Sequence, residues 1–489
     1  MNNLVTAATR VCMLLSLSLF ALIGLSLALF PYGADYGEAP LMDQARRILA
    51  GESIYKADLS QPPYTISNYP PVYPLLVAGL RQATGLGWFQ AGRAISLTAA
   101  LVSSALIGLL AVQAGAKRAA GLLAAALFLG HPYVALWSGL ARVDLLALAF
   151  SLAGLWIVIA HPHSGRWLAA AVLLLTLSVF TRQTFLLAAP VTALAWLWGH
   201  NRKQALFFAL GLGWLCASCF LAINIATQGG FYQNIVLANV NQYEVSRTLA
   251  MLQQLAVIWL PALLLGALAA GRAIYAWVRS LAGQPRAGLR PLSPAVGLAV
   301  YAVLALAAAL TVGKVGSDIN YFLELISACA ILAAALASNV AQQPARWGRL
   351  IPAILTVQML WAVISGIFLY QATAARRWAQ IDTYHSLYAQ VVEASQKGQV
   401  LSDDYLDLVF LAGQPITYQP FEYGQLYHAG LWDPAAFAEQ IGSGQISLIL
   451  ISGDTLEKEC CWPPALIRSI ESHFQMFQQP GYLLCKPAP

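Results

Sequence analysis

Carboxylates set against an apolar run are the residues of this chain best placed to do chemistry. Asp35-Tyr36-Gly37-Glu38 follows the first hydrophobic stretch and opens the longest polar stretch before residue 372. A carboxylate at such a boundary can take a proton from an incoming hydroxyl or hold a divalent cation. Gly33 and Gly37 flank it and permit a tight turn. The plainer reading makes Asp35 and Glu38 solvated loop acids or caps of the following helix. Further ionisable groups stand at the ends of other apolar runs: Arg142 with Asp144, then Arg182, then Lys314, Asp318 and Glu324. Charge there is costly in lipid unless it pairs or lines a wet cavity, so each is a functional candidate. Each also has a plainer reading, with Arg142 paired to Asp144, Arg182 reaching the headgroups, and Lys314 paired to Asp318. Asn320 and Tyr321 precede Glu324 by a turn or less, which puts Tyr321 and Glu324 on one helix face.

The elements that must position these groups are membrane spans. Hydrophobic residues make up 59% of the 489 and charged ones 10%, with a mean hydropathy of +0.64, which excludes a water-soluble core. A spanning helix needs about 20 apolar residues, because hydrocarbon offers backbone groups no partner. About eleven runs qualify, near 11–30, 91–112, 119–137, 144–160, 167–181, 184–198, 205–226, 252–270, 294–311, 321–338 and 350–370. His131-Pro132 marks a break inside the third.

Charge sets the orientation. With the N-terminus cytoplasmic, the inner loops hold Arg10, Lys117, Arg118, Arg166, Arg202, Lys203, Arg272, Arg279, Arg286, Arg290, Arg346 and Arg349 and none of the 21 acidic residues. Retention of basic residues inside implies an odd number of spans, with loop 31–74 and the tail outside. The net charge of +6 follows from topology and calls for no nucleic-acid partner. The first run lacks a small-residue cleavage site before Pro31, so it reads as a retained span. Within loop 31–74, Leu41, Ala45, Ile48 and Leu49 oppose Asp43, Arg46 and Arg47, the pattern of a helix lying in the interface. Two parts result, a membrane unit over 1–371 and a more polar outward domain over 372–489. In the latter, β-rich runs at 399–402 and 446–451 and helical runs at 384–395 and 434–441 predict a small α/β fold. Cys460, Cys461 and Cys485 lie on the oxidising side, where one disulfide and no disulfide are both open readings and the pairing is not legible. Asp403, Asp404 and Asp407 follow a strand and read as a turn.

One ordered set of segments resembles the GT-C glycosyltransferases. It runs from Asp35-Tyr36-x-Glu38 through Ala45-Arg46-Arg47-Ile48-Leu49-Ala50-Gly51-x-x-x-Tyr55 to Tyr69-Pro70-Pro71-Val72-Tyr73-Pro74-Leu75-Leu76. Arg142-Val143-Asp144, Phe180-Thr181-Arg182-Gln183-Thr184 and Gly316-Ser317-Asp318-Ile319-Asn320-Tyr321 continue it. The likeness is to bacterial family 39-like enzymes, relatives of protein mannosyltransferases and lipid A aminoarabinose transferases. It implies a mainly α, polytopic membrane enzyme that moves a hexosyl or pentosyl unit from a polyprenyl-phosphate donor to a lipid, glycan or protein acceptor, outside the membrane and with inversion. On that resemblance Asp35 and Glu38 are the catalytic carboxylates, with Mg or Mn as a candidate cation between them. Arg142, Arg182 and Lys314 would hold the donor phosphate, and Asp144, Asp318, Asn320, Tyr321 and Glu324 the substrate. Members often place the two acids side by side, whereas here two residues separate them, which weakens the case for Glu38. The competing readings are a transporter or flippase of lipid-linked saccharide and a polymerase or ligase of such chains. A transporter would show charge near mid-span or related halves with interrupted helices, and here the charges gather at one face.

Overall fold

A computed structural model describes residues 2–282, 291–341, 347–453, 456 and 461–489. Every apolar run becomes a helix. In order they are α1 (Asn2–Leu29), the loop helices α2 (Glu38–Leu49) and α3 (Val72–Thr84), then α4 (Trp88–Gln113), α5 (Arg118–Leu129), α6 (Pro132–Ser138), α7 (Asp144–Ala160), α8 (Gly165–Thr181), α9 (Ala188–His200) and α10 (Arg202–Ala226). The single turn α11 (Gly230–Tyr232), α12 (Val245–Ala282), α13 (Pro294–Ala309), α14 (Leu323–Val340) and α15 (Trp347–Tyr370) follow. Among the described residues seven helices are long and apolar enough to cross a membrane, and α5 with α6, bent by 69°, makes an eighth when the pair is counted as one span. The remaining three of the eleven expected are short: α7 and α8 have 17 residues each and α9 has 13. The bend falls at His131-Pro132, where proline cannot continue the ladder and the His131 ring caps the new helix by accepting from the Tyr133 amide at 3.1 Å. Arg286, Arg290, Arg346 and Cys460 lie outside the described residues.

The helix expected in the interface is placed differently. Residues 38–45 of α2 are all buried, packed between α3 and α4 on the membrane side and a helix of the tail beyond. Burial includes Asp43, which takes Arg46 Nη2 at 2.5 Å. The amphipathic pattern was legible, but the apolar partner is protein.

The tail starts on the same rod as α15, which runs through a π turn (Gln371–Ala375) into α16 (Arg376–Ala379). Next come α17 (Ile381–Ser395), β1 (Gln399–Ser402), α18 (Leu406–Leu411), α19 (Pro420–His428), α20 (Ala435–Gly442), β2 (Ile446–Ser452), α21 (Pro464–His473), β3 (Phe474–Gln479) and β4 (Tyr482–Pro487). The sheet order is β1-β2-β4-β3, with β1 and β2 parallel and the rest antiparallel. The predicted strands and helices are present, and the hairpin of β3 and β4 is additional. Cys461 is disulfide-bonded, whereas Cys485 is a buried free thiol. Two apolar clusters join the tail to the first loop. Phe30 and Tyr32 pack with Leu387, Val391 and Leu448, and Tyr64 stacks among Phe437, Tyr423 and Trp432 with ring centroids 4.7–5.5 Å apart.

Beneath this junction lies a buried ion pair. Arg93 of α4 and Glu38 of α2 both have fully buried side chains, with Nη2 to Oε2 at 2.8 Å and Nε to Oε1 at 2.9 Å. Arg93 also donates to the carbonyls of Leu27, Phe30 and Tyr32, which α1 leaves open at its end. Removing one partner strands a charge in a dry interior. Glu38→Ala is expected to cost about 3–5 kcal/mol, read as a lower thermal midpoint of the purified protein in detergent. An unchanged midpoint would show that the pair is not needed to hold the fold.

Candidate active site

α1 ends at Leu29, and just there Arg93 takes the Leu27 carbonyl of its last turn and the Phe30 carbonyl beyond it. The chain then crosses the outward end of the bundle, and Glu38 pins it there. Glu38 Oε2 accepts from the Ala34 amide at 2.6 Å and Oε1 from the Ala141 amide at 2.6 Å. Those amides belong to the residues just before Asp35 and Arg142. One carboxylate therefore sets two side chains from distant segments beside each other, and Arg142 Nη1 meets Asp35 Oδ1 at 2.8 Å. The Gly37 amide donates to the same oxygen at 3.0 Å. Asp35 keeps 27% of its side chain exposed, against 0% for Glu38.

The flanking glycines serve close approach rather than turn conformation, since Gly37 has φ of −77°. A Cβ on Gly37 would lie 1.5 Å from Arg142 Nη1, and one on Gly33 would lie 2.6 Å from Asp407 Cβ. The Gly33 amide donates to Asp407 Oδ2 at 2.8 Å, a bond that ties the tail to this loop. Asp403 takes the amides of Asp404 and Ser452 at 2.6 and 2.7 Å, as the turn reading requires.

A hollow of about 290 Å³ opens over Asp35 and is lined by Arg142, Lys314, Asp318, Tyr321 and Glu422 among others. Four sequence candidates besides Asp35 thus converge. Lys314 makes no ion pair among the described residues, so its expected pairing with Asp318 is not formed. Burial pushes the Asp318 carboxyl up, and Asp35 adds to the shift while the Ile319 amide opposes it.

The other candidates are brought together elsewhere. Asp144 pairs with Arg182 rather than with Arg142, and it also accepts from Trp137 Nε1 at 2.8 Å and Asn320 Nδ2 at 2.9 Å. Arg182 is buried, so it does not reach the headgroups, and its guanidinium lies 4.5 Å from the centre of the Tyr321 ring. Glu324 accepts from Tyr301 at 3.4 Å and borders a cavity of only about 20 Å³ with Arg182 and Asn320, too small for a sugar. Asp144, Arg182 and Asn320 therefore form a buried network that ties the start of α7 to the end of α8 and the turn before α14, with Glu324 beside it on Tyr301. Glu38 does not line the hollow, and four donors already occupy its two oxygens. The Asp35 and Glu38 pair thus does not fit Mg or Mn, because Glu38 has no lone pair left to give.

Sequence reading missed Glu422, which lies in the tail and takes the Tyr36 hydroxyl at 2.5 Å. Burial pushes its carboxyl up. Nothing in the local pattern distinguishes it from a first-turn acid of α19. Arg93 was legible in principle, as a charge inside an apolar run.

With the geometry described, comparison with solved structures gives the fold. The apo structure of ArnT, an aminoarabinose transferase from Cupriavidus metallidurans, superposes with a TM-score of 0.60 over 98% of both chains at 14% identity. ArnT bound to undecaprenyl phosphate gives 0.58 at 14% identity, over 96% of this chain and 97% of that one. The archaeal oligosaccharyltransferase AglB from Archaeoglobus fulgidus, in complex with an inhibitory peptide and a dolichol-phosphate, gives 0.55 at 10% identity over 99% and 74%. The chain thus shares the fold of ArnT and AglB. No family model and no curated protein sequence matches the chain. The polytopic helical architecture expected from the apolar runs is the one observed.

Two outcomes test this geometry. Gly37→Ala displaces Arg142 from Asp35 without touching the core, so its activity is expected to fall about 10–100-fold at an unchanged thermal midpoint; full activity would mean that the contact is dispensable. Burial pushes Asp407 up to about 6, so the folded chain keeps this proton after the unfolded one has lost it. Stability is then expected to fall as pH rises from about 4 to 6 and to level off above. Asp407→Asn keeps an acceptor for Gly33 and should flatten that part of the melting profile. An identical slope in both proteins would contradict the assignment.

Proposed function

We propose that the chain is an inverting glycosyltransferase that uses a polyprenyl-phosphate sugar on the extracytoplasmic face of the cell membrane, with its N-terminus cytoplasmic and its tail outside. The observation that carries the reading is Asp35, a partly exposed carboxylate oriented by Arg142 in a hollow that also holds Lys314. The undecaprenyl phosphate on ArnT and the dolichol-phosphate on AglB support the class of donor.

In this reading the acceptor's hydroxyl or amine gives its proton to Asp35 as it attacks the anomeric carbon. The new bond to carbon forms as the carbon–oxygen bond to phosphate breaks, and the electron pair leaves on the polyprenyl phosphate. Lys314, which makes no ion pair among the described residues, faces the departing charge, while Arg142 holds Asp35 in place. Asp318 and Tyr321 border the space a sugar would take. Glu38 acts through position alone, by anchoring the residues next to Asp35 and Arg142. Arg182 is neutralised by Asp144 and withdrawn from phosphate. A single displacement inverts the anomeric centre.

Purified protein offered labelled polyprenyl-phosphate sugars is expected to transfer them. Asp35→Asn should lower kcat by about 10²–10⁴-fold with the thermal midpoint retained. Retained transfer in that variant would overturn the role of Asp35. In proteoliposomes, movement of the intact lipid-linked saccharide across the bilayer without bond cleavage would instead establish a flippase.

A further inference from the structure

Two residues of the tail line the hollow over Asp35, Phe421 and Glu422 in the first turn of α19. Their seat is built from both sides. Gly316, between Lys314 and Asp318, has φ of +83°, and a Cβ there would lie 2.5 Å from Phe421 Cζ. The backbone conformation and the Phe421 ring thus each call for glycine. On the other side the Phe421 ring meets Tyr36 edge-on with centroids 6.5 Å apart, and the Tyr36 hydroxyl donates to Glu422 Oε2 at 2.5 Å. The tip of α19 is therefore held between the residue after Asp35 and the segment that carries Lys314 and Asp318.

The carboxyl placed in this way lacks a cation of its own. Glu422 makes no ion pair among the described residues, and Arg142 pulls on it from beyond that distance while bound to Asp35. Burial pushes the Glu422 carboxyl up, opposed by the Tyr36 hydroxyl, its own amide and the Asn68 side chain. Hydrogen bonds rather than an opposite charge hold it. Carboxyl oxygens in such a setting accept readily from neutral hydroxyls. A second carboxylate beside them would bring two like charges out of water without compensation, which is unfavourable. Tyr69, Trp137 and Tyr321 line the same hollow and offer aromatic surface to the apolar face of a sugar ring.

We infer that Glu422, brought into the hollow by the tail, contacts the hydroxyls of the transferred sugar and selects a neutral sugar over one that bears a carboxylate. This rests on the transferase reading and gives its substrate a chemical class. Asp35 and Asp318 line the same hollow, so they add to the rejection of a charged acid, and Glu422 supplies the share that comes from the tail.

The test is equilibrium binding to the full chain, in detergent at neutral pH, of labelled polyprenyl-phosphate hexoses and the matching hexuronic acids in gluco, galacto and manno forms, beside polyprenyl monophosphate. Wild type is expected to bind its best hexose about tenfold or more tightly than the corresponding acid. Glu422→Gln keeps an acceptor for the Tyr36 hydroxyl and removes the charge, so it should narrow that ratio about threefold or more through tighter binding of the acid. Glu422→Leu also removes the acceptor, and it should loosen the hexose about 3–10-fold as well. Binding of the monophosphate reports that each variant is folded. The inference is overturned if wild type binds the acid as well as the hexose, if the ratio is the same in Glu422→Gln, if that variant loosens hexose and acid alike, or if no sugar-bearing lipid binds wild type more tightly than the monophosphate. Because binding needs no acceptor, wild type that shows the ratio and its narrowing but transfers nothing sinks the transferase reading alone.

Discussion

The ion pair of Arg93 and Glu38 is the constraint on which the rest of this structure depends. A carboxylate and a guanidinium in a dry interior are tolerated only when every polar atom finds a partner. Here the partners of the α2 and α4 side chains are supplied by three separate segments: the end of α1, the loop after it and the loop before α7. Satisfying Glu38 therefore fixes the backbone on either side of the outward opening. Asp35 and Arg142 meet because each follows a residue whose amide Glu38 holds. The catalytic proposal needs one exposed carboxylate, and the second carboxylate of the motif is consumed in placing it.

A similar division of labour extends outward. The tail contributes Asp407, which holds Gly33, and Glu422, which holds the Tyr36 hydroxyl. The residue before Asp35 is tied to the membrane unit and the residue after it to the tail. The first loop in turn gives Tyr64 to the aromatic cluster of the tail. The tail and the loop together form one wall of the hollow over Asp35.

The membrane class, the positions of the helices and most of the tail were legible because apolar runs and short alternating strands carry their own signal. The hairpin of β3 and β4 escaped because Phe474–Gln479 is largely exposed and reads Gln-Met-Phe-Gln-Gln without alternation. Of the site, the list of charged residues was legible and their pairing was not. Arg142 chose Asp35, 107 positions away, over Asp144 two positions on. Arg182 took Asp144 and left the hollow. Partner choice is decided by which loop ends the bundle brings together, and a single sequence does not carry that. The same limit hid Glu422, whose significance comes from the hollow it shares with Asp35.

A structure of the protein with a non-hydrolysable polyprenyl-phosphate sugar bound would test the central claim most directly. The expected result is an anomeric carbon whose free face is turned to the Asp35 carboxylate, within about 3–6 Å to admit an acceptor atom between them, and whose phosphate lies on the opposite side against basic residues. A sugar seated away from Asp35, or with its phosphate turned toward that carboxylate, would contradict the account.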